Sequence, residues 1–411
     1  MISVDEALAA VLEWTPVLGV ERVGLADALG RVAAADVTSA RAVPSAANSA
    51  MDGYAVRGAD VAASGARLRV IGVQPAGSVS ATPVEPGTAM KIYTGSVVPP
   101  GADTVVKVEI TEERDGVVLV REAVVPGLNV RHAGEDVQPG AVVVLAGTVL
   151  GAADLGVLAS VGQANVVVHR RPRVAIVSTG AELVEVDETP GPGQVVNSNA
   201  YALAAAVREA GAEPTVLPIA RDREDAIRAA LREAARADVV LSTGGVSVGD
   251  FDFVKEALDA LGVERRFWKV AQRPGKPLTF GRLHERLFFG LPGNPVSALV
   301  CFHVYVWPAL RRMAGHVRIH HPIVEATLAA TIRTAEGLTE FVRVRLAPGA
   351  GGWVAMPAAS QSSGVLTGLA AGAALLIGPP EEGRLEAGGR HRVLVIAPAV
   401  LDRTALVATS G

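Results

Sequence analysis

The pattern of apolar and polar positions changes character several times along the chain. Ser3-Val4-Asp5-Glu6 is a capping box that opens a helix running to about Trp14, and Gly30 ends a second short apolar segment. Residues 44–140 carry short Val-rich runs (Leu68 to Val73, Thr104 to Ile110, Gly116 to Val120) between Gly and Pro turns, which predicts a small β-rich body. Residues 141–168 then read as strand, turn, helix (Ala152 to Val161) and strand, a return to the N-terminal segment. An insertion of 44–140 into a segmented N-terminal α+β domain (1–43 and 141–169) is the simplest account.

From Arg173 strands alternate with helices. Strands are predicted at Val174–Ser178, Thr215–Ile219, Val239–Ser242 and Leu287–Gly290, with helices at Ala200–Ala210, Arg223–Ala235, Asp252–Leu261 and Val296–Arg312. Such alternation favours a largely parallel sheet with right-handed crossovers, binding ligands at its strand carboxyl ends. This α/β domain spans 170–316. Past His320 short strands return, with a turn at Pro348–Gly352 and a last strand at Val393–Ile396, giving a C-terminal β domain over 317–411. The fold class is multi-domain α/β plus β.

Composition narrows the chemistry. Half of the 411 residues are apolar and only 4% aromatic, which suits a globular α/β protein. With 38 Lys plus Arg against 42 Asp plus Glu there is no basic footprint for nucleic acid, so any anion binding is local. The single cysteine, Cys301, excludes a disulfide framework and a Cys-based zinc site within one chain, and a reducing, cytoplasmic setting fits. The N-terminus has no basic segment followed by an apolar stretch, so no signal peptide is expected. Two weakly charged stretches, Val137–His169 and Asn294–Leu310, are interrupted or too short to span a bilayer, and no membrane partner is expected.

Three loops follow strands directly: Thr179-Gly180-Ala181-Glu182, Thr243 to Asp250, and Pro292-Gly293-Asn294-Pro295. Glycines there let backbone approach a ligand, and a helix N-terminus behind each loop offers free N–H groups, a geometry that welcomes phosphate. Singly each reads as a tight turn or cap; three in one domain point to a ligand. Thr179, Gly180, Thr243, Gly244, Gly245, Ser247, Gly249, Asp250, Pro292, Gly293, Asn294 and Pro295 are the candidate binding positions. Lys269, Arg273 and Lys276 place three cations within eight residues, two of them flanking a Pro-Gly turn that could grip an oxyanion. Glu182, Asp222, Asp250 and Asp252 stand beside the loops, as carboxylates that hold Mg2+ do. The histidines show no metal-ligand spacing, and no G-x-S-x-G, Walker or H-E-x-x-H motif occurs.

Seven strings, in order, resemble the molybdopterin molybdenumtransferase family, to which the C-terminal domain of gephyrin also belongs. They are N-S-A-M-D-G-Y-A (48–55), T-G-x-x-x-P-x-G-A-D (94–103), G-E-D (134–136), S-T-G-x-E-L (178–183), T-G-G-V-S-V-G (243–249), P-G-K-P (274–277) and G-L-P-G-N-P-V-S-A (290–298), with Q-S-S (361–363) near the end. The resemblance implies a segmented first domain, an inserted β domain, a three-layer molybdopterin-binding α/β domain and a barrel-like C-terminal β domain. It implies a homodimer with a site between subunits, and a Mg2+-dependent reaction in which adenylylated molybdopterin and molybdate give molybdenum cofactor and AMP.

By motif position, the resemblance gives Asp52, Thr94, Asp136, Glu182, Asp222 and Asp252 roles in activity, and of the carboxylates beside the loops Glu182, Asp250 and Asp252 are the candidates to hold Mg2+. It places Arg273, Lys276, Pro277, Arg343 and Ser363 at molybdate, with Lys269 a further cation toward the substrate. Three positions depart from the family pattern: Ala47 and Ala181 replace common Asp residues, and Arg273 replaces a frequent Lys. The adenylyltransferase step on the same pterin is a rival reading, and a non-catalytic scaffold another; the adenylyltransferase of the same pathway is also a candidate partner.

Overall fold

The computed structural model describes residues 1–221, 223–244, 260 and 262–396. The chain divides into two compact units, Met1–Glu21 with His169–Gly411, and Arg22–Val168. No helix among the described residues is long and apolar enough to cross a membrane.

The first unit is built on a six-stranded sheet in the order Glu213–Val216, Arg173–Ser178, Val239–Thr243, Arg286–Leu291, Thr279–Leu283, Glu264–Trp268. The first four strands are parallel and the last two antiparallel, so the sheet is parallel through its centre as expected. Alternate residues face opposite ways. Val174, Ile176, Leu241 and Phe289 join one core with the helices Ser198–Glu209 and Pro295–Cys301, while Ala175, Val177, Val240 and Phe288 join another with Ile227 and Leu231 of the helix Glu224–Ala234. Covering both faces makes three layers and explains the unbroken apolar runs of the central strands. Each fully buried Leu or Phe contributes about 1.5–3 kcal/mol.

Three departures from expectation have local causes. The strand predicted at Thr215–Ile219 lies at Glu213–Val216, on the sheet edge, where Pro214 is tolerated because an edge residue can lack a ladder N–H. Strands at Glu264–Trp268 and Thr279–Leu283 were not expected, because Glu264, Arg265, Arg266 and Arg282 interrupt the apolar signal on the opposite edge. The helix predicted at Val296–Arg312 is helical throughout but widens to π-helical turns over Phe302–Val306 before Trp307–Met313. Pro308 lacks the N–H that a regular helix would use there, which accounts for the widening.

The first helix, Val4–Trp14, begins as the sequence predicts: the Ser3 N–H donates to Glu6 Oε2 at 2.8 Å and the Glu6 N–H to Ser3 Oγ at 3.1 Å. Ala7 and Val11, one turn apart, are fully buried in the core of the α/β sheet.

The C-terminal strands close into a five-stranded barrel. Thr339–Gly349 pairs with both Gly352–Pro357 and Ala373–Gly378, and Ile323–Leu328 and Arg390–Val395 complete the ring. Period-two alternation gives the strand Thr339–Gly349 two loyalties: Val342 and Val344 fill the barrel, whereas Phe341 enters the core of the α/β sheet. Gln272–Arg273 pairs in parallel with Thr339–Glu340 and carries the α/β chain onto the barrel.

In the second unit, six strands run in the order Thr104–Lys107, Gly53–Val56, Thr88–Ile92, Ala66–Gln74, Val117–Val120, Thr111–Arg114, over a core including Tyr54, Leu68 and Val106. A smaller core gathers Ala28, Ala33, Leu150, Leu158 and Val168 around the helix Ala152–Ser160, matching the strand, turn, helix and strand read in 141–168.

Candidate active site

The carboxyl ends of the parallel strands open into a cleft of about 620 Å³. Thr179 and Glu182 enter it from the first strand, Thr243 and Gly244 from the third, and Pro292, Gly293, Asn294 and Pro295 from the fourth. Gly244 has φ +86°, and a Cβ on it would lie 2.4 Å from the Thr179 carbonyl oxygen, so only glycine lets these two loops meet. Gly180 lies behind Glu182, whose carboxylate would be 2.6 Å from a Cβ at that position. Gly245, Ser247, Gly249, Asp250 and Asp252, with the helix predicted from Asp252, lie outside the described residues, as does Asp222.

A buried polar chain forms the cleft floor. Thr243 Oγ1 donates to Ser178 Oγ at 3.3 Å, and Ser178 Oγ donates to Asn197 Oδ1 at 3.0 Å. Asn197 is the N-cap of the helix Ser198–Glu209, accepting from the Ala200 N–H at 3.4 Å. One residue into the helix's first turn, Asn199 Nδ2 donates to the Gly293 carbonyl at 2.8 Å and fastens that turn to the third loop. The N-termini of two helices, at Asn197 and Asn294, therefore face one space. Asn294 caps without a side-chain bond, leaving its amide unspent on the helix. The Asn197–Asn199 segment was not singled out in the sequence; an Asn before a helical run was the signal, masked because the helix was expected to start at Ala200.

Glu182 is the one carboxylate among the described residues lining the cleft. No three carboxylate, His or Cys groups cluster as a metal cage among the described residues. A single carboxylate beside glycine-rich loops fits Mg2+ of the kind held by one or two protein oxygens, water and substrate phosphates.

A second cavity, of about 460 Å³, adjoins the first and shares Pro277 with it. Arg273, Lys276, Pro277 and Ser363 all line it, bringing residues from the cationic turn and from Q-S-S into one wall. The Val296 N–H, in the first turn of the helix from Pro295, donates to the Ser363 carbonyl at 3.2 Å and holds that segment in place. Glu340, only 5% exposed, also faces the cavity and pairs with Arg273 at 3.1 Å, whereas Lys276 has no ion-pair partner among the described residues.

Arg343 does not line either space. It is 1% exposed, on the same strand face as Phe341, and its Nη2 donates to the Ser360 carbonyl at 2.8 Å while Nε has no partner. Gln361 clamps its backbone at both ends, donating to the Arg343 carbonyl and accepting from its N–H, both at 3.0 Å. Burial without a carboxylate holds the Arg343 guanidinium below its usual basicity. Lys269 lies apart from both cavities, its ammonium 5.6 Å from the Trp268 ring centroid.

In the second unit the three remaining strings converge. Asn48–Ser49 pairs with Val130–Arg131, and the Ser49 N–H donates to the Ser96 carbonyl at 2.9 Å, joining N-S-A-M-D-G to T-G-S and to the chain leading into G-E-D. Asp52 Oδ1 accepts from both the N–H and the hydroxyl of Thr94, each at 2.7 Å. The Thr94 N–H and then its hydroxyl hold the exposed Asp52 carboxyl below the usual range. Asp136 is exposed, and its N–H donates to the Val43 carbonyl at 3.0 Å.

Comparison with known proteins gives three matched stretches. Residues 2–162 match the family described as the MoeA N-terminal region (domain I and II), residues 175–312 a probable molybdopterin binding domain, and residues 325–396 the MoeA C-terminal region (domain IV). A molybdopterin molybdenumtransferase of Nostoc sp. is 39% identical over 391 residues, covering 90% of this chain and 87% of its own. One from Bacillus subtilis is 36% identical over 404 residues, with 96% and 94% covered. The crystal structure of a molybdopterin biosynthesis MoeA protein from Pyrococcus horikoshii superposes with a TM-score of 0.83 at 32% identity, covering 97% of this chain and 99% of that one. The chain belongs to the molybdopterin molybdenumtransferase family.

Proposed function

We propose that the protein transfers molybdate into adenylylated molybdopterin, giving molybdenum cofactor and AMP, with Mg2+ bound at Glu182. The observation that carries this reading is the adjacency of two unlike cavities sharing Pro277. The larger offers loop backbone and two helix N-termini, which suit the phosphate groups and pterin of a nucleotide-linked substrate. The smaller offers Arg273 and Lys276, which suit a tetrahedral dianion. Placing them side by side holds the oxyanion against the substrate, so that attack is set by position.

Loss of AMP breaks a phosphoanhydride as water adds to phosphorus and gives up a proton, and negative charge accumulates on the departing phosphate. On this reading the glycine-containing loops at Gly244 and Gly293, which line the cleft, stabilise that charge through their backbone dipoles. Mg2+, when bound, neutralises phosphate charge. Arg273 and Lys276 hold and orient the oxyanion, and the buried Arg343 supports the wall of that cavity through Ser360 and Gln361. Asp52, kept ionised by Thr94, belongs to the same reaction and remains charged through the neutral range.

The test is AMP release from adenylylated molybdopterin with Mg2+, with and without molybdate. Release stimulated by molybdate is expected, and Asp52→Ala and Lys276→Ala are expected to lower it by about 100-fold or more without unfolding the chain. Release indifferent to molybdate, or normal activity in both folded variants, would overturn the reading.

A further inference from the structure

Three buried polar side chains lie beneath the cationic turn. Both residues of the strand Gln272–Arg273 border the smaller cavity, but Arg273 is more than half exposed there while Gln272 is fully buried and turned to protein partners. Gln272 Nε2 donates to the Pro274 carbonyl at 3.0 Å, and its Oε1 accepts from the Tyr305 hydroxyl. Cys301 Sγ lies 3.5 Å from Gln272 Nε2 and donates to the Gly275 carbonyl at 3.5 Å. Two successive carbonyls of the turn, at Pro274 and Gly275, are thus held from below. The loop is closed at its base by the Val270 N–H, which donates to the Lys276 carbonyl at 3.0 Å.

The fit is close. Gly275 has φ +93°, and a Cβ there would lie 2.5 Å from Cys301 Sγ and 2.6 Å from Gln272 Nε2. Tyr305 is fully buried within the π-helical turns, and burial pushes both its phenol and the Cys301 thiol upward in pKa. Both therefore stay protonated donors through the physiological range. Because the Pro274 carbonyl can only accept, the amide has one orientation, with Nε2 toward the turn and Oε1 toward the Tyr305 hydroxyl. A chain of donors running Tyr305 to Gln272 to Pro274 fixes the backbone from which Arg273 and Lys276 project.

We infer that Tyr305, Gln272 and Cys301 form a buried brace that sets the spacing of Arg273 and Lys276 and thereby the affinity for the oxyanion. All three are positioning residues, each buried and bonded to other groups of the protein. The inference rests on the reading of the smaller cavity as the molybdate site.

The experiment measures AMP release against molybdate concentration at saturating adenylylated molybdopterin, together with thermal unfolding. Tyr305→Phe and Gln272→Met should each raise the half-saturating molybdate concentration about tenfold, the equivalent of one buried hydrogen bond, while the rate at saturating molybdate stays within about twofold. Cys301→Ser, which keeps a donor for the Gly275 carbonyl, should stay near the wild-type half-saturation, and Cys301→Ala should not. Lower melting temperatures in Tyr305→Phe and Gln272→Met with half-saturation unchanged would make the brace merely structural and overturn the inference. A wild-type protein whose AMP release ignores molybdate would instead remove the reading of the cavity, and the inference with it.

Discussion

A guanidinium that is 1% exposed and meets no carboxylate is an expensive thing to keep, since burying an unpaired charge costs several kcal/mol. Arg343 retains only the Ser360 carbonyl as a partner for its side chain, and its Nε remains unsatisfied. Such a residue is better explained by its hold on the Ser360–Gln361 wall of the smaller cavity than by stability. Arg343→Met should then leave the free protein as stable or about 1 kcal/mol more stable. It should also abolish the rise in melting temperature that molybdate gives the wild type through binding linkage. Equal molybdate stabilisation in wild type and variant, measured by differential scanning fluorimetry, would show that the wall of the smaller cavity does not depend on Arg343. Residues of this kind were legible in the sequence only by their place in motifs. Gln272, Tyr305 and Asn197 were not, because a Gln beside a cation, a Tyr in an apolar helix and an Asn before a helix carry no pattern beyond their own neighbours. Their roles arise from partners up to 33 residues away.

At the level of elements, the helical stretch from Pro295 to Met313 joins the site to the entry into the barrel. Its π-helical turns hold Tyr305 and also His303, whose Nδ1 lies 3.1 Å from Nε2 of His321 in the segment leading to the barrel. His321 in turn stacks on Trp307 with ring centroids 4.0 Å apart. Burial lowers His303 to about 4; burial, followed by its His303, Arg311 and His320 neighbours, lowers His321 to about 3. Both are neutral in the folded protein near pH 7, while the unfolded chain takes up protons from about pH 6.5 downward. The unfolded state therefore binds more protons between about pH 6.5 and the folded values, and stability falls as pH drops through that window. Melting temperature should decline steeply from pH 6.5 to 4 in the wild type and less so in a protein carrying His303→Gln and His321→Gln. Parallel pH profiles would refute this. The central strands were legible because sheets covered on both faces select unbroken Val and Leu runs. The antiparallel edge was not, because Arg265, Arg266 and Arg282 occupy it: Arg266 pairs with Glu13 at 2.9 Å and Arg282 lies over the Trp14 ring. Those contacts join residues some 250 positions apart, which no local window samples.

For the whole molecule, fold class and family were both available before any coordinates, since seven ordered strings and a change from period two to strand and helix alternation pointed the same way. Assembly is a separate matter. We expect a homodimer, with a mass in solution of twice the chain's 42.2 kDa by sedimentation equilibrium at micromolar concentration. A monomer that releases AMP in a molybdate-dependent way would dispose of that expectation while leaving the chemistry intact.

The pairing of Gln272–Arg273 with Thr339–Glu340 carries a consequence for how the protein matures. The smaller cavity belongs to neither the α/β sheet nor the barrel: Arg273, Lys276 and Ser297 stand on one side of a seam, and Glu340, Gln361 and Ser363 on the other. A nascent chain that has folded only its α/β sheet already owns all of the wider cleft's lining but Gly364, yet has only half of the smaller pocket. On the proposed reading of that pocket, oxyanion capture is a late property, acquired when the barrel docks. Lesions that loosen that docking should register in calorimetry as lost oxyanion affinity well before either body unfolds.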